Sequence, residues 1–246
     1  MHWLARGEDA LPAGTLWLAP AEAARAAGLH HTKRRTEYLL RRLVAKHGIA
    51  AVTGRSTDPA TLAGIEVGNA PSGAPFVLVE GVPLNLDLSI TDRAGWAVCV
   101  LGGSAGLNEP VGCDLELVEP RSPGFVRDFL TGAEQRFVAA RPVGEERDVA
   151  VNLIWSAKES ALKVLRVGLG RDTRSVEVTV GAPGAAGWGV LCVRSTEGGL
   201  FPGWWRREGR FLLTVAGAAA GPPPVALAVS DVLATAAPRH SWLERP

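Results

Sequence analysis

Asp114 and Glu116 lie two residues apart in the run Val111–Leu117 (VGCDLEL), and Glu159 and Lys163 lie four apart in Trp155–Lys163 (WSAKESALK). Side chains two apart in a strand share a face, so Asp114 and Glu116 present their carboxylate oxygens on one side. Such a wall suits a hard divalent cation. Magnesium takes few protein carboxylates and completes its shell with water and substrate phosphates, so a phosphate ligand is expected nearby. An edge strand with a solvated face produces the same alternation. Residues four apart on a helix are neighbours, so Glu159 and Lys163 share a face, with Lys158 roughly 100° around the axis. A surface i,i+4 ion pair has this spacing too. Trp155, one turn before Glu159, argues against that reading by laying apolar surface over the same face.

These groups need a strand and a helix to hold them. In Val111–Leu117 the residues Val111, Cys113, Leu115 and Leu117 alternate with Gly112, Asp114 and Glu116, the signature of a strand. Asp148 to Val167 reads as an amphipathic helix ending at Gly168, and Phe125 to Ala140 as a helix broken near Gly132. Thr32 to Gly48 is a third helix, with Thr32 as its N-cap and Gly48 as its stop. Its apolar stripe carries Leu39, Leu40, Leu43 and Val44, while Lys33, Arg34, Arg35, Arg41, Arg42 and Lys46 face a single Glu37. A solvated basic face and an anion-binding face both fit that pattern. Strands are expected at Phe76–Val79, Trp96–Leu101, Val176–Val180, Trp188–Val193, Phe211–Val215 and Val225–Val229, separated by Gly and Pro. Strand-helix-strand order occurring twice predicts an α+β protein of two similar halves, 1–107 and 108–246, with antiparallel sheets and flanking helices.

Composition narrows the function classes. The chain has 246 residues, 47% hydrophobic and 21% charged, so it can bury a core and is not a disordered or fibrous sequence. With 26 Lys+Arg against 25 Asp+Glu, a general nucleic-acid binder is not expected. Cys99, Cys113 and Cys192 are scattered among apolar residues and read as buried thiols. The most apolar run, Val225 to Ala237, is interrupted by Ser230 and Asp231, and the first residues carry Arg6, Glu8 and Asp9. A soluble cytoplasmic protein, with neither a membrane nor a nucleic acid as partner, is the expectation.

VGCDLE followed by WSAKESALK resembles the paired signature of the Sfp-type 4′-phosphopantetheinyl transferases, a G-x-D-x-E strand and a W-x-x-K-E-x-x-x-K helix. PAEAARAAGL at Pro20–Leu29, the basic helix, Gly73–Pro75, the Trp96 strand and FLTGAEQRF at Phe129–Phe137 extend the likeness from Pro20 to Gly170. The resemblance implies transfer of the phosphopantetheine arm of coenzyme A to a serine of an apo acyl or peptidyl carrier protein, with adenosine 3′,5′-bisphosphate released. It implies a monomer whose halves pack side by side with the nucleotide in the cleft between them. Asp114, Glu116 and Glu159 would hold Mg2+, or Mn2+ in its place. Glu159 would also serve as general base, a role that competes with metal binding. Lys163 and Lys158 would bind phosphate oxygens and the developing charge. Arg35 and Arg42, with Arg34 behind them, would lie near the adenosine end of coenzyme A.

Two positions depart from the family. Ala74 stands where many members have the lysine of Gly-Lys-Pro, and Thr91-Asp92-Arg93 stands for Ser-His-Ser. An Asp92 carboxylate near a phosphate is repulsive, so either Arg93 makes the 3′-phosphate contact beside Thr91 or Asp92 is turned away, paired with Arg93 in a turn. A homologue that binds coenzyme A or a carrier without turnover is the alternative. Arg121, Arg127 and Arg136 are candidate attachment points for an acidic carrier.

Overall fold

Two long helices, each lying across a sheet, organise the molecule. The computed structural model describes residues 1–102, 109–166, 172–184 and 187–239. In chain order the elements are β1 (His2–Gly7), α1 (Pro20–Ala27), α2 (Thr32–Thr53), α3 (Pro59–Ala63), β2 (Ile65–Asn69), β3 (Pro75–Val79), β4 (Val82–Pro83), β5 (Leu88–Arg93) and β6 (Trp96–Leu101). They continue with β7 (Val111–Leu117), α4 (Pro123–Phe129), α5 (Gly132–Ala139), α6 (Glu145–Val164), β8 (Val176–Pro183), β9 (Trp188–Ser195), β10 (Leu200–Glu208), β11 (Phe211–Gly217) and β12 (Val225–Ala226). The fold is α+β, its sheets built from antiparallel pairs with helices flanking them, apart from a short parallel pairing of β1 with β12. Among the described residues no helix is long and apolar enough to cross a membrane.

The chain forms two compact units. The first comprises Met1–Asn108 with the returning segments Val225–Val232 and Ala236–Pro246. It holds the sheet β12-β1-β6-β5 and the small sheet β2-β3-β4. Helix α2 packs its stripe of Leu40, Leu43 and Ile49 against Leu4, Cys99 and Leu101. The second, Glu109–Pro224 with Leu233–Thr235, holds β7-β11-β10-β9-β8 under α6, where Leu153, Ala157 and Ala161 meet Leu191, Trp205 and Leu212.

Several boundaries differ from the sequence reading for identifiable reasons. Gly48 does not stop α2, which continues to Thr53 and ends on Gly54 in the left-handed conformation, φ 66°. Gly48 is small because a Cβ there would sit 2.8 Å from Cys99 Sγ on β6. The expected break near Gly132 is a full stop, since Ser122 caps α4 and Thr131 with Glu134 forms a capping box on α5. Strands β1, β2, β4, β5 and β10 lie outside the expected strands, and the last strand is only Val225–Ala226, laid parallel to β1. The expected helix end at Gly168, the boundary at 107–108 and the tail from His240 fall outside the described residues. Cys99 and Cys113 are buried, whereas Cys192 is partly exposed.

Each unit buries a Glu–Lys pair in the same arrangement. Glu22, in the first turn of α1, accepts from Ala19 N at 2.9 Å and Val67 N at 3.0 Å, and meets Lys46 Nζ at 2.5 Å. Lys46 also donates to Trp17 O and Leu62 O. Glu134, in the first turn of α5, accepts from Thr131 N at 2.7 Å and Val178 N at 2.8 Å, and meets Lys158 Nζ at 2.8 Å. Lys158 also donates to Thr173 O and Val176 O. Both lysines are fully buried, and burial pulls their pKa values below that of an ordinary lysine despite the facing carboxylate. Every proton of each ammonium has a partner, so each pair ties a short helix to a long one and to a strand. Removing one partner strands the other charge, so Lys158→Met is expected to cost about 3–5 kcal/mol in urea unfolding. Glu134→Leu combined with Lys158→Met should recover much of that loss.

Candidate functional site

The carboxylates of β7 become a site because α6 lies directly on that strand. At Gly112 a Cβ would collide with the backbone carbonyl of Ser160, so only glycine permits the approach. Beside it, Thr214 on β11, paired with Asp114 in register, bonds the hydroxyls of Ser156 and Ser160 at 2.8 and 2.7 Å. Small polar residues on α6 and β11 thus set the distance at which Glu159 and Lys163 meet β7. The register leaves Asp114 and Glu116 on the same face as Gly112, and both are buried.

Lys163 Nζ donates to Cys113 O at 2.7 Å and to Asp114 Oδ1 at 3.1 Å. Burial opposes its charge, but the Asp114 carboxylate and, behind it, Glu159 outweigh that, so its pKa lies above the usual lysine value. Glu116 is clamped from two sides: Arg121 Nη2 donates to Oε2 at 3.0 Å and Trp155 Nε1 to Oε1 at 2.9 Å. Arg121 is itself oriented by Asn152 Oδ1 at 2.7 Å and lies over the Phe125 ring. Phe125, Phe129 and Trp155 form an aromatic triad with centroids 4.9–5.2 Å apart beside the carboxylates.

Glu159 is the unbalanced member. Burial first, then the like charge of Asp114, push its pKa up to about 7, with Glu116 adding to the effect and Lys163 opposing it. Its Oε1 is buried and has no hydrogen-bond partner among the described residues. A carboxylate so placed can take up a proton near neutral pH or bind a cation.

The donors are those of a hard divalent cation, and the buried Glu159 oxygen in a field of two further carboxylates fits one. Still, among the described residues no group of three His, Cys, Asp or Glu side chains is gathered as a ligand cluster. Asp114 is engaged by Lys163 and Glu116 by Arg121, so the protein's own cations neutralise two of the three expected ligands.

The structure brings Asp114, Glu116, Glu159 and Lys163 together and corrects the expectation for Lys158. That residue points away from them, fully buried, with its protons spent on Glu134, Thr173 O and Val176 O, so it does not reach a phosphate. The remaining expected residues belong to the first unit. Arg34 and Arg35 are exposed near the start of α2. Arg42 is only 6% exposed, bonded to Asn69 Oδ1 at 2.8 Å and stacked on Tyr38. On β5, Thr91 is buried, Arg93 is half-buried, and Asp92 pairs with Arg41 of α2 rather than in a turn with Arg93. Sequence reasoning gave Arg121 and Arg41 no role at the site. The available signal for Arg121 was a cation just beyond a strand carrying two carboxylates.

Residues 110–189, which include β7, α4 to α6 and β8, match the model of the 4′-phosphopantetheinyl transferase superfamily. No curated protein matches the chain. The matched third of the sequence contains every carboxylate and lysine of the site, and it supports a transferase acting in phosphopantetheine transfer in general.

Glu159 makes a pH signature testable without substrate. Its folded pKa lies above its unfolded one, so its protonated form favours the fold; that contribution is complete below about pH 4.5 and is lost as pH rises through about 7. In chelator, wild type should therefore lose stability relative to Glu159→Gln between about pH 5 and pH 8. Urea midpoints of the two proteins that move in parallel across that range would refute the assignment.

Proposed function

We propose that the chain is an Sfp-type 4′-phosphopantetheinyl transferase that moves the phosphopantetheine arm of coenzyme A to the serine of an apo carrier protein. The observation that carries the reading is Glu159, a carboxyl with a pKa of about 7 and an oxygen without a hydrogen-bond partner among the described residues, one helical turn from Lys163. In this reaction Glu159 accepts the proton of the carrier serine. The serine Oγ attacks the phosphorus that bears the pantetheine arm, a new P–O bond forms, and the bond to the bridging diphosphate oxygen breaks. Adenosine 3′,5′-bisphosphate departs with that oxygen. Lys163 Nζ lies against the charge that grows on the phosphoryl oxygens, and Arg121 and Trp155 keep Glu116 in place.

Asp114, Glu116 and Glu159 are the residues we assign to magnesium, which when bound supplies charge neutralisation to the diphosphate. Proton acceptance by Glu159 from the serine is direct or through one water. For the nucleotide we assign the exposed Arg34 and Arg35, with Arg42 behind them and Arg93 on β5 beside Thr91. The Arg41–Asp92 pair supports this, because it offsets the carboxylate that would otherwise repel a 3′-phosphate. The carrier, an acidic partner, is assigned to the side of α4 and α5, where Arg127 and Arg136 are exposed and Phe129 is 38% exposed. Arg121 is occupied by Glu116 and Glu119 and is withdrawn from that role.

Incubation with coenzyme A, magnesium and an apo carrier should add the mass of one phosphopantetheine. Glu159→Gln and Lys163→Ala should each lower the rate by at least about 100-fold. Magnesium-dependent binding of coenzyme A without any mass gain across a panel of carriers would establish the non-catalytic homologue instead. Arg93→Ala should reduce the affinity for coenzyme A more than that for dephospho-coenzyme A; an unchanged ratio removes Arg93 from the 3′-phosphate.

A further inference from the structure

The second unit contains a cavity on a different side of α6 from the carboxylates. It has a volume of about 420 Å³ and lies where the end of α5 and the first turns of α6 meet β8 and β10. Its apolar lining includes Trp205, Leu153, Val149 and Phe137. Trp205 is only 8% exposed, and its indole N–H is spent on Gly181 O at 3.0 Å, so it presents carbon to the cavity. On α6 the lining residues Val149 and Leu153 are set on average roughly 100° around the axis from Trp155, Glu159 and Lys163. The two features share a helix and draw on different stretches of it.

The charged groups of the cavity lining are two guanidiniums in different states and two carboxylates, those of Glu145 and of the exposed Glu146. Arg207 is committed, paired with Glu145 and bonded to Gly209 O. Arg141 is not: its guanidinium lies 4.3 Å from the centre of the Phe137 ring, and among the described residues no carboxylate pairs with it. Stacking on an aromatic face holds the guanidinium plane while leaving its N–H edge open. A half-buried arginine with a free donor edge at the margin of an apolar cavity is arranged to receive a carboxylate whose body enters the cavity. The volume falls within the range of pockets for small organic ligands.

We propose that this cavity is a second ligand site, which takes a small amphipathic carboxylate: an aryl or short acyl body against Trp205, Leu153 and Val149, and a carboxylate on Arg141. No step of phosphopantetheine transfer uses these side chains, so the inference stands or falls independently of the reaction proposed above.

Calorimetric titration of the full chain with 2-naphthoate and with its neutral analogue 2-naphthalenemethanol tests it. Wild type should bind the carboxylate more tightly than the alcohol. Arg141→Gln should weaken the carboxylate by about tenfold or more and leave the alcohol unchanged, since only the charge-assisted bonds are removed. Val149→Trp, which fills the cavity, should abolish both. Because Arg141 lies at the margin of the cavity, unfolding midpoints of Arg141→Gln and wild type should agree, which keeps the test sound if Val149→Trp fails to fold. No saturable binding of either compound by wild type, or naphthoate binding indifferent to Arg141→Gln, overturns the proposal.

Discussion

The close approach of α6 to β7 is the constraint on which the site depends. A glycine at 112 brings a helix carbonyl onto the strand, and the Ser156, Ser160 and Thr214 hydroxyls satisfy one another in the gap. At that distance carboxylates from strand and helix share one low-dielectric region, and the energetic result is visible in Glu159, whose acid form persists to about pH 7. Lys163 reaches Asp114 only because of the same spacing. The motif's glycine, its acids and its second lysine are therefore one device: the glycine sets a distance, and the charges respond to it.

The first lysine of the helix motif has a different job. Lys158 and Glu159 are adjacent in sequence, so one helix places them on different faces, and nothing in their types says which face is buried. Burial decides it: Lys158 joins Glu134, the capping glutamate of α5, and holds α5 and β8 against α6. Buried ion pairs of this kind contribute little net stability compared with apolar residues of the same size, but they tolerate only one geometry. A pair whose glutamate also bonds a β8 amide fixes where the helix begins and which strand it meets.

The strand with alternating acids, the amphipathic helices and the α+β class could be read from the sequence because each rests on local periodicity. What could not be read was decided by distant partners. Strand β10 contains Trp204, Trp205, Arg206 and Arg207, a polar-aromatic run whose strand character follows from pairing with β9 and β11. Gly48 resembles a helix stop until β6 is packed against it. Glu116 looked like a free metal ligand because Arg121 and Trp155, which hold it, come from a turn and from another helix. Charge patterns show which groups a face can offer; they do not show which are already engaged.

The two buried pairs also provide a common register for the long helices, and that register shows where the two units differ. Glu159 follows Lys158, and His47 follows Lys46, so the two occupy the same place on their helices. Where Glu159 meets further carboxylates, His47 Nδ1 accepts from Arg6 Nε at 3.0 Å, and Arg6 is tied to Asp231 at 3.1 Å. Burial, reinforced by the Arg6 charge, depresses the His47 pKa to about 4, so the ring is neutral at physiological pH and serves as an acceptor. Arg6 is further engaged by Ala5 O and Val229 O, and Asp231 also accepts from Gly7 N. This network spends its charges on fastening the returning segment to β1. The equivalent place in the second unit leaves a buried carboxylate oxygen of Glu159 without a hydrogen-bond partner among the described residues, and its acid form is favoured up to about pH 7 instead.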